Sequence, residues 1–194
     1  MTEVYSRVYD TYAQAERAVM DLEAAGVPSG DISVVANKYV SEEYENVDDV
    51  SATATGAGIG GAIGGGAGLL AGLGLLAIPG LGPVVAAGWL ASLALGDVVG
   101  GAACGLIGAL VDVGTSEEDA HVYSEAVRRG GTLVTVRTDH PRDVVEAAMN
   151  KYEPVDPVAR RREYETAGWK EFDPNAPAYK PSQSEIERIR RRQA

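Results

Sequence analysis

Glycine recurs at every fourth position through Gly56, Gly60, Gly64, Gly68 and Gly72, inside a run from Val50 to Gly96 that holds no charged residue. Four-residue spacing lines one face of a helix, and a face without Cβ atoms lets a second backbone approach closely. Dispersion and Cα–H to carbonyl contacts then replace interdigitated side chains. A second arm repeats the device with Gly96, Gly100, Cys104 and Gly108. Such a helix is poor in water, since each glycine costs about 1 kcal/mol relative to alanine, and ten glycines lie between positions 56 and 78. The run therefore needs another surface against it, supplied by a bilayer or by protein.

The pattern predicts a helical hairpin of two spans, Gly56 to Ile78 and Val84 to Val111. They are joined by a turn in which Pro79, Gly80, Gly82 and Pro83 cannot continue a helix. The first span would be about 34 Å long at roughly 1.5 Å per residue, enough for a hydrocarbon core of about 30 Å. An uncharged turn would cross without translocating charge and would leave both flanks on one side. Other features oppose insertion. The flanks Glu42 to Asp49 and Glu117 to Asp119 are acidic, where cytoplasmic juxtamembrane segments favour Lys and Arg, and Asp97 lies inside the second span. An unpaired carboxylate there would cost about 3 kcal/mol.

Outside this run the chain reads as ordinary α/β sequence. Residues 4 to 9 alternate as a strand, with Val4, Ser6 and Val8 facing one way and Tyr5, Arg7 and Tyr9 the other. Thr11 and Gln14 make a capping box for a helix whose apolar stripe is Ala15, Ala18, Val19 and Leu22, ended by Gly26 and Pro28. Ile32 to Ala36 is a second, buried strand. After the glycine-rich run, Thr115 and Glu118 cap a helix that Gly130 and Gly131 stop before the strand Leu133 to Val136. A further helix begins near Asp139, His140 and Pro141 and buries Val144, Val145, Ala148 and Tyr152. Pro154 and Pro157 confine any last strand at 155 to 158 to a sheet edge. A faint repeat aligns Val8-Tyr9-Asp10 with Arg137-Thr138-Asp139. It implies two strand-helix-strand halves and an α+β, ferredoxin-like sandwich interrupted by the hairpin. The expected divisions are 1–50 for the first half with an acidic linker, 51–115 for the glycine-zipper hairpin, 116–158 for the second half, and 159–194 for an extended tail with a short C-terminal helix.

The stretch Ala77-Ile78-Pro79-Gly80-Leu81-Gly82-Pro83-Val84-Val85-Ala86-Ala87-Gly88, with Ser116 to Ala120 and Arg129-Gly130-Gly131-Thr132-Leu133-Val134-Thr135-Val136, resembles the YflT-like general stress protein family of bacteria over residues 4 to 152. The resemblance implies strand-helix-strand, a glycine-rich apolar hairpin and helix-strand-helix in that order, in a protein of heat and general stress. It brings no catalytic residues. In the tail beyond it, Trp169, Phe172 and Tyr179 stand in a proline-bounded stretch and could anchor in a groove of this or another subunit.

The two histidines, His121 and His140, and the single cysteine are too few for a zinc set or a Cys-His nucleophile. His121 is expected on a solvated helix face. Gly56 to Gly61 mimics a dinucleotide loop, but no strand precedes it and no Walker lysine follows. A net charge of -11 opposes nucleic acid as main partner, and the N-terminus lacks a signal-peptide pattern. The expectation is a non-enzymatic protein with no catalytic residue, metal, cofactor or identified small-molecule substrate. It would be membrane-associated and homo-oligomeric through the hairpin, its soluble parts facing the cytoplasm. The alternatives are a soluble cytoplasmic assembly whose hairpins bury one another and, third, a small-ligand sensor.

Overall fold

The computed structural model describes residues 2–37, 74–78, 82–90, 105–173 and 175–176. It is a mixed α+β architecture built on one antiparallel sheet. Strand β1 (Glu3–Tyr9) leads to helix α1 (Tyr12–Ala24), a short 3-10 turn (Ser29–Asp31) and strand β2 (Ile32–Asn37). Strands β3 (Gly74–Ile78) and β4 (Gly82–Ala87) follow, then helices α2 (Gly105–Asp112) and α3 (Glu117–Arg128). Strand β5 (Thr132–Thr138), helix α4 (Arg142–Asn150) and helix α5 (Pro157–Thr166) complete the described elements.

The strand order is β1-β5-β2-β4-β3. β5 pairs antiparallel with both β1 and β2, with Tyr5 opposite Val136 on one side and Val34 opposite Val134 on the other. β1 and β2 therefore run parallel to each other with the later strand between them. Helices cover both faces. On one, α1 and α4 bury Ala18, Val19, Leu22, Val145 and Met149 against Tyr5, Tyr9, Ile32, Val34 and Val136. On the other, α2 and α3 bury Leu106, Leu110, Ala120, Tyr123 and Val127 against Val8, Val35, Ala86 and Leu133. The alternation in β1 thus separates two cores, and its strand is not exposed on one face as a half-buried strand would be.

Local signals account for most element ends. Thr11 closes its capping box with Gln14, the Thr11 hydroxyl accepting from the Gln14 N–H at 3.2 Å. At the other end of α3, Gly130 adopts φ 109° and the Gly131 N–H donates to the Ala126 carbonyl at 2.8 Å, a left-handed stop followed at once by β5. Three details differ from expectation. Ser116, one residue beyond Thr115, caps α3 by accepting from the Asp119 N–H. α4 starts after Pro141 with no side-chain cap, while His140 points its Nε2 to the Gly26 carbonyl at 3.2 Å. The segment expected as an edge strand at 155–158 makes one backbone bond to β1, Val155 N–H to the Val8 carbonyl at 2.7 Å. Asp156 then caps α5 through the N–H groups of Val158 and Ala159, with Pro157 at its first position. The tail is therefore helical, not extended, over its first turns.

The largest correction concerns the glycine-rich hairpin. Residues 74–78 and 84–87, expected inside two helices, lie in strands of the sheet: β4 pairs with β2 (Ala36 opposite Val85) and with β3 (Leu76 opposite Val84). Gly82 and Pro83, assigned to the turn, belong to β4 opposite Ile78 and Ala77. The physical reason is composition at short range. Leu75 to Ile78 and Val84-Val85 offer apolar and β-branched residues on either side of the sequence Pro79-Gly80-Leu81, which suits a β-hairpin laid on an existing sheet edge. Trp89 and Leu90 are helical directly after β4, and α2 is helical as expected of the second span, with Gly108 half-buried in it.

Candidate interaction surfaces and the docked tail

Where the inserted hairpin meets the sheet, Gly88 has φ 92° and lies against Ile32 and Ser33. Trp89 follows, its Nε1 donating to the Asp31 carbonyl at 3.0 Å. The guanidinium of Arg137 sits 5.2 Å from the Trp89 ring centroid and pairs with Asp31 at 2.8 Å. Leu90 is fully buried in the second core. The chain is thus fixed at both ends of β4: by the ladder to β2, and by this clasp.

The described part of the tail docks on its own domain. Phe172 is buried with Leu106, Tyr123 and Val155, and its N–H donates to His121 Nδ1 at 3.1 Å. This corrects the expectation of a solvated His121, which is half-buried and serves as an acceptor. Trp169 stacks edge-on against buried Tyr164, ring centroids 5.6 Å apart. Below Tyr164, the carboxylate of Glu125, 1 % exposed, accepts from Arg128 at 2.6 and 2.8 Å and from Arg129 at 2.6 Å. The Arg129 guanidinium lies 4.3 Å from the Tyr164 ring centroid. Glu125 therefore organises two cations at the C-terminal end of α3, where positive charge also meets the helix dipole favourably.

Burial governs the titration of these groups. Burial pushes the Tyr164 hydroxyl above the ordinary tyrosine range, with nearby Arg160 opposing it. Burial likewise works against the Arg160 charge, but the Asp10 carboxylate, 2.7 Å away, more than offsets it and leaves the guanidinium above its usual value. The sequence analysis did not single out this cluster: acid and base three and four residues apart on a helix carry no sign of whether the carboxylate is buried. The signal for the docking was the pair Trp169 and Phe172.

The other surface is the outer edge of β1. An open groove of about 470 Å³ runs beside it, between Thr115, Ser116 and Asp119 at the start of α3 and Arg142 and Glu146 of α4. Antiparallel pairing makes alternate residues turn both backbone groups outward. The bond from Val155 identifies Val8, and hence Ser6 and Val4, as that set. The Ser6 carbonyl accepts from the side chain of Arg7 at 2.9 Å.

Of the residues expected to pack the zipper, Gly56, Gly60, Gly64, Gly68, Gly72, Gly96, Gly100 and Cys104 lie outside the described residues, as do Pro79, Gly80 and Tyr179. Among the described residues, no group of three or more His, Cys, Asp or Glu side chains is placed to hold a metal ion, and no helix is long and apolar enough to cross a membrane. No family model matches the chain, and neither a curated protein nor a solved structure was found to be similar to it.

Proposed function

We propose that this chain is a non-enzymatic, self-associating protein whose glycine-patterned segments pack against protein, within and between copies, rather than across a bilayer. The observation that carries this reading is the position of β4 between β2 and β3. Residues 38–73 leave the sheet at β2 and rejoin it at β3, so a single membrane crossing would pull apart strands that belong to one sheet. A return passage as helices needs about 40 apolar residues, whereas the uncharged stretch from Val50 to Leu73 has 24. The second excursion, 91–104, is 14 residues long and contains Asp97. Both runs thus begin and end at the domain, and their smooth glycine faces suit close contact between backbones.

The order β1-β5-β2, with α1 and α4 on one face and Val155 at the outer edge of β1, supports a ferredoxin-like unit. In it, the connection between the second and third strands is enlarged into residues 38–131. The resemblance to YflT-like general stress proteins supplies the context, a stress-type role in which assembly, not catalysis, is the output.

Fractionation of the full chain at alkaline pH, followed by light scattering with and without detergent, tests this. The expected result is release by carbonate and a multimer in the absence of detergent that leucine at Gly60, Gly64 and Gly68 disperses. Retention in the membrane pellet would restore the bilayer hairpin, and a multimer untouched by the three substitutions would remove the glycine faces from the interface.

A further inference from the structure

We propose that the outer edge of β1 is a second, separate self-recognition surface, on which another copy of this chain lays its own β1 antiparallel and continues the sheet across a twofold axis. An unpaired edge is a template for strand addition unless it is covered. Here, among the described residues, the covers are slight: Val155 occupies the Val8 carbonyl and the Arg7 side chain rests on the Ser6 carbonyl. The stretch from Glu3 to Arg7 opens into the groove described above.

That stretch is self-complementary. Tyr5 is at its centre, with Glu3 two residues before and Arg7 two residues after. An antiparallel copy aligned on Tyr5 sets Glu3 opposite Arg7 of the second copy, and Arg7 opposite Glu3, on the same face of the sheet. The same alignment sets Val4 opposite Ser6 of the second copy. These residues turn their backbone groups outward, so each such pair exchanges both N–H to carbonyl bonds. The neighbouring registers are worse. Centring on Ser6 demands the Val8 carbonyl that Val155 already holds, and centring on Val4 leaves Glu3 opposite Tyr5 with no charge partner. Arg7 swings from the Ser6 carbonyl and Asn150, its present acceptors at 2.9 and 3.2 Å, to the facing Glu3 carboxylate, which also accepts from the Tyr5 hydroxyl of its own strand.

The contact does not depend on the glycine-patterned segments, and its test separates the two. In the chosen register Tyr5 faces Tyr5 in a pair without hydrogen bonds, Cα atoms about 4.5 Å apart, which a disulfide can span. The full chain carrying Tyr5→Cys and Cys104→Ser should form a covalent dimer on mild oxidation, read on a denaturing, non-reducing gel, where association through glycine faces is dissolved. Val4→Cys in the same background should not, because Ser6 faces it. Tyr5 is buried, so a second set on the edge charges guards against misfolding: Glu3→Arg or Arg7→Glu alone should weaken dimerisation about tenfold at low salt, and the double reversal should restore it. Cross-linking through Val4→Cys as strongly as through Tyr5→Cys, or a double reversal no better than the singles, overturns the proposal.

Discussion

Gly88 lies so close to Ile32 that a Cβ on it would come within 2.3 Å of the Ile32 carbonyl oxygen and 2.7 Å of the neighbouring Ser33 Cα. Both obstacles are backbone, so neither can move aside without breaking β2. Gly88→Ala should therefore cost at least about 2 kcal/mol, from the positive φ and the clash together. Denaturant unfolding of the variant measures this. Loss of the Trp89 fluorescence signature before the main transition would report that the inserted hairpin detaches first.

Ser124 is fully buried in α3, and its hydroxyl has no hydrogen-bond partner among the described residues. A buried unmet hydroxyl is a net loss, and alanine is the better helix former. Ser124→Ala should raise stability by about 0.5–1 kcal/mol, seen as a higher melting temperature.

Glu125 joins two arginines to the tail through Tyr164. Glu125→Ala leaves both cations facing each other near a buried ring and should cost about 2–3 kcal/mol. Glu125→Gln, which keeps the hydrogen-bond acceptor, should cost less. Limited proteolysis should cut first in the segment 166–173 in the alanine variant, since Trp169 and Phe172 lose the platform beneath Tyr164.

Burial holds the Tyr9 hydroxyl, which donates to the Met149 carbonyl at 2.7 Å, well above the ordinary range, and it raises Tyr123 in the same sense. A folded-state value above the unfolded one means that the stabilisation is complete below about pH 10 and is lost as pH rises beyond it. Unfolding free energy should therefore fall with pH above about 10. Tyr9→Phe should make that decline shallower, while costing about 1 kcal/mol at neutral pH through the lost hydrogen bond.

The elements legible in the sequence are those with their own local punctuation. The Thr11 and Gln14 box, the Gly130-Gly131 stop and the period-two run at Val4 to Tyr9 each depend on neighbours a few residues away, and each is found where the pattern puts it. β3 and β4 were hidden because the four-residue glycine spacing runs up to Gly72 and suggests that helix continues. The change of period begins at Leu75, and in so short an apolar run helix and strand are indistinguishable by pattern. Asp156-Pro157 carried a helix-start signature that the second proline disguised as an edge strand. The role of His121 needed the fold, since its partner Phe172 is distant in sequence.

The strand that completes the centre of the sheet, β5, is also the last of the described strands to leave the ribosome. Until residue 138 emerges, β1 and β2 have no common neighbour, although the apolar, glycine-rich stretch has already been synthesised. At synthesis rates of about 5–20 residues per second, that interval lasts several seconds. The centre of the sheet therefore forms late, after most of the chain has been made.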